Sequence, residues 1–383
     1  MKKIIDWPTT LFLIISHFIG IVGTGIYVYF NGVHPIEIFN FVLFYALTGI
    51  SITAGYHRYF AHRSYECHFL LRLFYLIFGA CAYENSVLRW ACDHRMHHKH
   101  VDTDLDPYNI KKGGWYAHIG WIFFNRSEQR NLEHVKDLEK DPLVLWQGKY
   151  YLLIAIMVGS VLPFLIGLSV GRPWGGILWG GFFRVMFVHH TTFFINSLAH
   201  MIGRQTYTDQ DSSRDSWWLA FLTYGEGYHN YHHKFQADYR NGVHWYQWDP
   251  SKWMIALGSW FNLTNRLNRT PSQKILSAKL EMEMLCLCKK VHWVPSELWE
   301  RIQSHLEIVR HELESAHARW LELKSRYEKA KRSRMIQSGR VLLRWKHRLK
   351  IQERKFEVAK ERWKNVLLVC GHGRLEGIRS LEI

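Results

Sequence analysis

Three clusters of histidine punctuate a chain of long apolar runs, and a fold that uses them must gather all three at one place. They are His57 and His62 in GYHRYFAHRS, His94, His97 and His98 in DHRMHHKH, and His229, His232 and His233 in GYHNYHHKF. The second and third clusters space their histidines at i, i+3 and i+4, so on a helix all three rings leave one face within little more than a turn. The first pair, at i and i+5, is out of register on a regular α-helix, which implies that a helix ends or bends there. Eight imidazoles exceed what one mononuclear site can use, and they suit two metal ions held without bridging carboxylates. Imidazole binds iron, copper, nickel and zinc alike, so ligand type does not select the metal.

The apolar runs set the topology. Those at about 9–30 and 36–56 are each long enough to cross a hydrocarbon core of about 30 Å. The first is too long for a cleaved signal peptide, and no small-x-small cleavage site follows it. Lys2 and Lys3 precede it and the turn NGVHP lacks Lys and Arg, so the positive-inside rule puts the first histidine pair at the cytoplasmic mouth of the second span. A crossing by the next run, 68–88, would leave the first and second clusters on opposite sides of the membrane. An interfacial or re-entrant helix is expected instead, in keeping with Arg72 and Glu84 within it. The stretch Trp115 to Phe124 is expected on the membrane surface as well. Spans at about 150–170 and 175–195, joined by GRPWG, return the third cluster to the cytoplasmic side.

The expectation is an all-α integral membrane protein with four transmembrane helices, both ends inside, and a cytosolic helical cap that holds the histidines. Arg184, His189 and His190 in the last span should face the bundle interior, with the two histidines hydrogen-bonding between helices. The acidic segment DTDLDPY should orient metal-bound imidazoles or cap helices. Asp93, beside His94, and Glu226, before the third cluster, are the carboxylates expected to support the imidazoles from outside.

Residues 1–262 form the membrane part, and 263–383 form a basic helical extension. The net charge is +16, and from Pro271 onward there are 25 Lys and Arg against 14 Asp and Glu. Runs such as HELESAHARWLELKSRYEKAKRSR read as exposed amphipathic helix, in a cytosolic helical hairpin or coiled-coil-like appendage. A basic tail on an apolar body points to anionic lipid headgroups, and no nucleic-acid-binding motif is present. Six cysteines without paired spacing argue for a reducing compartment, and the CxC at Cys286 and Cys288 is incidental.

HRYFAH, HRMHH and HNYHH, in this order and separated by apolar spans, resemble the signature of the membrane-bound fatty acyl desaturases, most closely the stearoyl-CoA, delta-9 type. The resemblance runs over about residues 5–260 and includes NSLAH at 196–200, GEGYHNYHH at 225–233 and KKGGWYAHIGW at 111–121. It implies a di-iron centre (Fe2+/Fe3+) with nine histidine ligands, the eight above plus His200. Asn196, four residues earlier and so expected on the same helix face as His200, would approach one iron through water. Asn85 and Trp90 correspond to positions near the bend of an acyl tunnel, and Lys111 and Lys112 to a basic pair that contacts coenzyme A phosphates. One departure is Cys92, where animal enzymes carry an arginine that helps hold that headgroup. The implied reaction inserts a cis double bond into a saturated acyl chain, carried on coenzyme A or on a lipid, with O2 as co-substrate and electrons from an external donor. No HPGG-like segment is present and the GHG at 371–373 is too little for a haem domain, so a separate reductase with a ferredoxin or cytochrome is expected. A bacterial inner membrane is favoured over the endoplasmic reticulum. Two other readings stay open: a fatty acid or alkane hydroxylase of the same histidine-rich superfamily, and a non-enzymatic membrane metal-binding or transport protein.

Overall fold

The computed structural model describes residues 4–124, 132–291, 296–332 and 339–371. Lys2 and Lys3, Arg334 of the amphipathic run, and the last two residues of the GHG segment lie outside them. The chain divides into two compact units, Met1–Gln205 with Asp209–Arg269, and Thr206–Thr208 with Thr270–Ile383.

In the first unit two of the long helices come first, α1 (Trp7–Asn31) and α2 (Pro35–Ala61). Each begins at a cap. The Asp6 side chain accepts the Thr9 N–H (3.2 Å), and His34 and Glu37 close a capping box ahead of Pro35. After a two-residue strand, β1 (Glu66–Cys67), comes α3 (Phe69–Ala80). Twelve residues rise only about 18 Å, too short to cross, as an interfacial element requires. Arg72 on α3 pairs with Asp141.

The next helix, α4 (Val87–His100), carries the second histidine cluster. Trp115 to Phe124 is not one helix but a short turn, Gly114–His118, and a 3-10 turn, Gly120–Phe123, broken at Ile119. The third long apolar helix is α5 (Pro142–Leu168). It starts eight residues before the expected 150. Lys149 and Gln147 interrupt the apolar run in the sequence, but Asp141 caps the helix at Leu143 N (3.0 Å), and the buried Gln147 side chain donates to Tyr56 Oη (2.7 Å).

A continuous helix, α6 (173–196), follows. Its fully buried Arg184 donates to the carbonyls of Gly180 (3.0 Å), Gly159 (2.9 Å) and Cys81. His189 reaches Ala82 O (2.7 Å) and His190 reaches His118 (3.0 Å). The ionisable groups of this helix thus turn inward. The rest of the unit holds a short helix at Trp217–Leu222, then α7 (His229–Lys234) and α8 (Pro250–Trp260), and β2 (Thr264–Asn265) pairs antiparallel with β1.

Helices α2 and α3 lock together by exchanging rings for glycines. Tyr75 lies where a Cβ on Gly55 would stand 2.6 Å away, and the Tyr56 ring lies 2.3 Å from a Cβ built on Gly79. Gly79→Ala is therefore expected to cost about 1–3 kcal/mol by overpacking. A lowered melting temperature in detergent, at unchanged helix content, is the check.

The second unit is a helical bundle of α9 (Ser272–Lys290), α10 (Ser296–Arg332) and α11 (Gly339–Gly371). Its core contains Leu280, Leu287, Ile302, Leu306, Leu313, Trp363 and Val366. Arg310 on α10 meets Glu281 on α9 (3.0 Å), and Trp363 Nε1 donates to Glu283 (2.7 Å). Beyond Leu313 the apolar contact between α10 and α11 narrows to stacked rings of His317, Trp320 and Phe356.

Candidate metal centre

The i, i+5 pair is solved by a change of helix type. Over Ser51–Ala61, α2 widens into a π-helix, and the His62 N–H donates to His57 O (3.0 Å), an i to i+5 bond that stacks these two positions. The helix ends at Ala61, so His62 is its C-cap; the rings stand 4.8 Å apart.

The nine histidines converge into two groups, each with ligand nitrogens within 4.8 Å of one another. One is His57, His62, His94, His98 and His232; the other is His97, His200, His229 and His233. Each i, i+3, i+4 triplet is divided between them. On α4 the i, i+4 pair His94 and His98 joins the first group and His97 the second. On α7 the pair His229 and His233 joins the second group and His232 the first. The nitrogens that meet inside the groups are Nε2: His62 to His94 is 2.8 Å, His57 to His232 and His98 to His232 are both 3.0 Å, and His200 to His229 and His229 to His233 are both 3.1 Å.

Whether this donor set fits a cation is decided on its outer side. His57 Nδ1 lies 2.9 Å from Glu226 Oε2, and His97 Nδ1 lies 2.9 Å from Asp106 Oδ1. His200 Nδ1 meets Ser212 Oγ (2.8 Å), whose hydroxyl is committed to Asp102 (2.6 Å), and His233 Nδ1 is 3.4 Å from Asp211. Acceptors at Nδ1 keep the proton there and leave the Nε2 lone pair pointing inward. Burial first, then the neighbouring imidazoles, hold His62, His94, His98, His229 and His232 well below the usual imidazole range, so these rings are neutral donors. Lone pairs facing one another at about 3 Å repel unless something positive lies between them, and two cations satisfy the two groups.

Asp106 and Asp102 belong to the DTDLDPY segment, the first meeting His97 directly and the second reaching His200 through Ser212. Asp211 and Ser212 had no signal in the sequence beyond being polar. Glu226 sits on His57, while Asp93 lines the adjoining cavity beside His94. Glu226 also accepts from Asn241 Nδ2 (2.6 Å) and from Arg58 Nε and Nη2 (3.2 and 2.9 Å). Arg58, fully buried, also donates to Tyr239 O (2.9 Å) and pairs with Asp249 (2.9 Å). Gly225, at φ +99, makes this approach possible, since a Cβ there would stand 2.6 Å from Asp249 Cγ. Sequence reading passed over Arg58, although a cation inside a histidine cluster already asks for a buried counter-charge.

One cavity reaches both groups, touching His57 and His94 of the first and His97 and His229 of the second. Asn196 lines it, but α6 ends there and His200 follows on a separate 3-10 turn, so the two do not share a continuous helix face as their spacing suggested. Trp90 lies along the cavity, stacked on His94 (5.0 Å) and donating from Nε1 to Glu84 (3.2 Å). Desolvation pushes the Glu84 carboxyl up to about 7. Asn85 lines the cavity with φ +80, its N–H held by Tyr151 Oη (3.1 Å). Lys111 and Lys112 are exposed and outside the cavity lining, with Lys112 Nζ 3.5 Å from Asp104. Cys92 is wholly buried, and Arg89, one turn earlier on α4, is the cation that lines the cavity.

Comparison with known proteins finds a match to the model of the fatty acid desaturase family over residues 37–256. A protein named "Probable acyl-CoA desaturase" from Schizosaccharomyces pombe is 43% identical over 262 residues, which is 67% of this chain and 55% of the relative. "Acyl-CoA desaturase 1" from Saccharomyces cerevisiae is 40% identical over 279 residues, 71% of this chain and 55% of the relative. "sn-1 stearoyl-lipid 9-desaturase" from Anabaena variabilis is 36% identical over 270 residues, 67% of this chain and 90% of the relative. The chain thus spans about half the length of the two yeast proteins.

Proposed function

The chain belongs to the fatty acid desaturase family, and from that premise we propose that it is an O2-dependent desaturase that introduces a cis double bond at the delta-9 position of a saturated fatty acyl chain, carried on coenzyme A. The observation that carries this reading is the pair of inward-facing imidazole groups at one cavity, with the outer nitrogens of His57, His97, His200 and His233 against acidic or hydroxyl partners. The yeast relatives support acyl-CoA as carrier, and the relative named as a 9-desaturase supports the bond position. The nine histidines would hold two iron ions, with Asn196 near one of them through water. When bound, such ions supply, with O2 and two electrons from a separate redox protein, the power to remove a hydrogen from each of two adjacent methylenes, giving the alkene and water.

The rest is work for the chain's own groups. Asp102, Asp106, Asp211 and Glu226 fix the ring tautomers and set the net charge of the centre. Trp90 fixes one wall by packing on His94 while its N–H is taken up by Glu84, so the indole presents no free donor to an alkyl chain. Phe12, Leu13 and Phe193 form apolar lining that keeps water from the reacting carbons. α6 supplies the fourth crossing that leaves all nine histidines at one membrane face, the cytoplasmic one. Relatives from fungi and cyanobacteria accord with either the endoplasmic reticulum or a bacterial membrane.

Headgroup binding follows from the cations. Arg89 takes up the role left open by Cys92, and Lys111 and Lys112 assist from outside the cavity. Arg89→Ala is expected to raise the apparent KM for stearoyl-CoA about tenfold at nearly unchanged kcat, and the Lys111→Ala/Lys112→Ala pair to raise it by less. Equal KM values for wild type and Arg89→Ala would instead favour a lipid-bound acyl chain.

The function itself is tested by expressing the chain in a host without desaturases and resolving total fatty acids by gas chromatography with double-bond location. A new delta-9 monounsaturated acid is the expected product. Hydroxylated acids would move the reading to a hydroxylase, and an unchanged profile with an active electron donor present would leave only metal binding.

A further inference from the structure

The basic excess of the second unit is confined to one end of its long hairpin. Between Arg319 and Lys350 the chain has 12 Lys and Arg against 2 Glu, whereas the rest of Pro271 to Ile383 has 13 against 12. This segment covers the end of α10 and the start of α11. Elsewhere in the unit several cations are paired across or along the bundle: Arg310 with Glu281, Glu307 and Glu314, Arg362 with Glu312, Lys364 with Glu361. Toward the tip Arg326 meets Glu322 and Lys324 lies over Trp320 (4.8 Å). Among the described residues, Arg344, Lys346, Arg348 and Lys350 have no ion pair, and all four are exposed. A cleft between the two helices is lined by Arg319, Arg326 and Arg348, with Glu322 its one carboxylate. Leu343 and Ile351, 65% and 41% exposed, stand among these cations.

Unpaired cations around an arginine-lined cleft, with exposed aliphatic side chains between them, match a phosphate-bearing surface with an apolar interior beneath it. A hairpin held only by solvation would distribute its charges as the rest of the unit does. We infer that the basic surface formed by α10 from Arg319 to Arg326 and α11 from Leu343 to Ile351 docks on an anionic phospholipid bilayer, Arg319, Arg344 and Arg348 on headgroup phosphates and Leu343 and Ile351 entering the boundary region. The same chain carries three helices long and apolar enough to span a membrane. Nucleic acid would use the same cations but has no use for the exposed aliphatic pair.

The test uses the full chain in phosphatidylcholine nanodiscs. Cys67, Cys286 and Cys288, the cysteines that are not buried, are changed to serine, and an environment-sensitive dye is placed at Leu343→Cys. A blue shift is expected when phosphatidylglycerol is present, either in the disc or as added vesicles. Neutral lipid should give none, and about 0.5 M salt should reverse it. Arg344→Glu/Arg348→Glu/Lys350→Glu, with helix content unchanged by circular dichroism, should raise the anionic lipid needed for half the shift at least ~10-fold. No shift with phosphatidylglycerol, an equal shift with neutral lipid alone, or a shift that survives charge reversal would each overturn the inference. A shift on adding duplex RNA but not anionic lipid would transfer this surface to nucleic acid.

Discussion

His97→Ala and His232→Ala are each expected to abolish turnover while the protein still inserts and folds. His97 belongs to the four-histidine group and His232 to the five-histidine group, so the two variants interrogate different ions. Several kcal/mol of transition-state stabilisation by a metal corresponds to at least ~10^3-fold in rate. Iron content should also fall, from about two per chain to about one, and His200→Ala should behave as His97→Ala does. The outer partners set a contrasting scale. Asp106→Asn or Glu226→Gln leaves every nitrogen donor in place and should weaken iron retention about 10–100-fold. Iron analysis of purified protein alongside product formation is the check, and near-normal product from His97→Ala would remove it from the ligand set.

The second large effect concerns Arg58. Its guanidinium is the common partner of Glu226 and Asp249, and all three are buried. Arg58→Met keeps the volume but leaves two carboxylates in the interior without their cation, which is expected to cost about 3–5 kcal/mol. In practice this means a loss of most folded protein, read by size-exclusion chromatography in detergent. Neutralising the carboxylates as well, in Arg58→Met/Glu226→Gln/Asp249→Asn, should recover folded protein by removing the unpaired charges. The recovered protein should still hold iron poorly, because an amide in place of the Glu226 carboxylate no longer offers His57 a charged acceptor. Wild-type stability for Arg58→Met alone would show that these carboxylates find other partners.

The convergence of the histidines was legible in the sequence because three clusters of one donor type at helical spacings imply a shared site, and gathering them at one place then constrained the segments between them. What the pattern could not reveal was the division of each triplet between two groups, which depends on how α4 and α7 face each other across the site. The start of α5 was hidden because Gln147 and Lys149 interrupt its apolar run, while the bonds that absorb Gln147 come from Tyr56 and Val87, distant in the chain. Asp211 and Ser212 were invisible for the same reason, since short polar residues in a loop acquire a role only when a ring nitrogen arrives beside them. The i, i+4 spacing of Asn196 and His200 misled in the opposite way, because the helix stops between them.

The π-wound end of α2 carries one further implication. Each residue spent in that wider winding turns the chain by less than the 100° of an α-helix, so the angle at which His57 arrives is set by how many residues are spent there rather than by which residues they are. Deleting one residue between Ser51 and Tyr56 would let this stretch relax toward ordinary winding and swing everything on the membrane side around the helix axis relative to the histidines. The length of this segment is therefore under a constraint of phase, separate from the packing constraints on Gly55, Tyr56 and Arg58 within it.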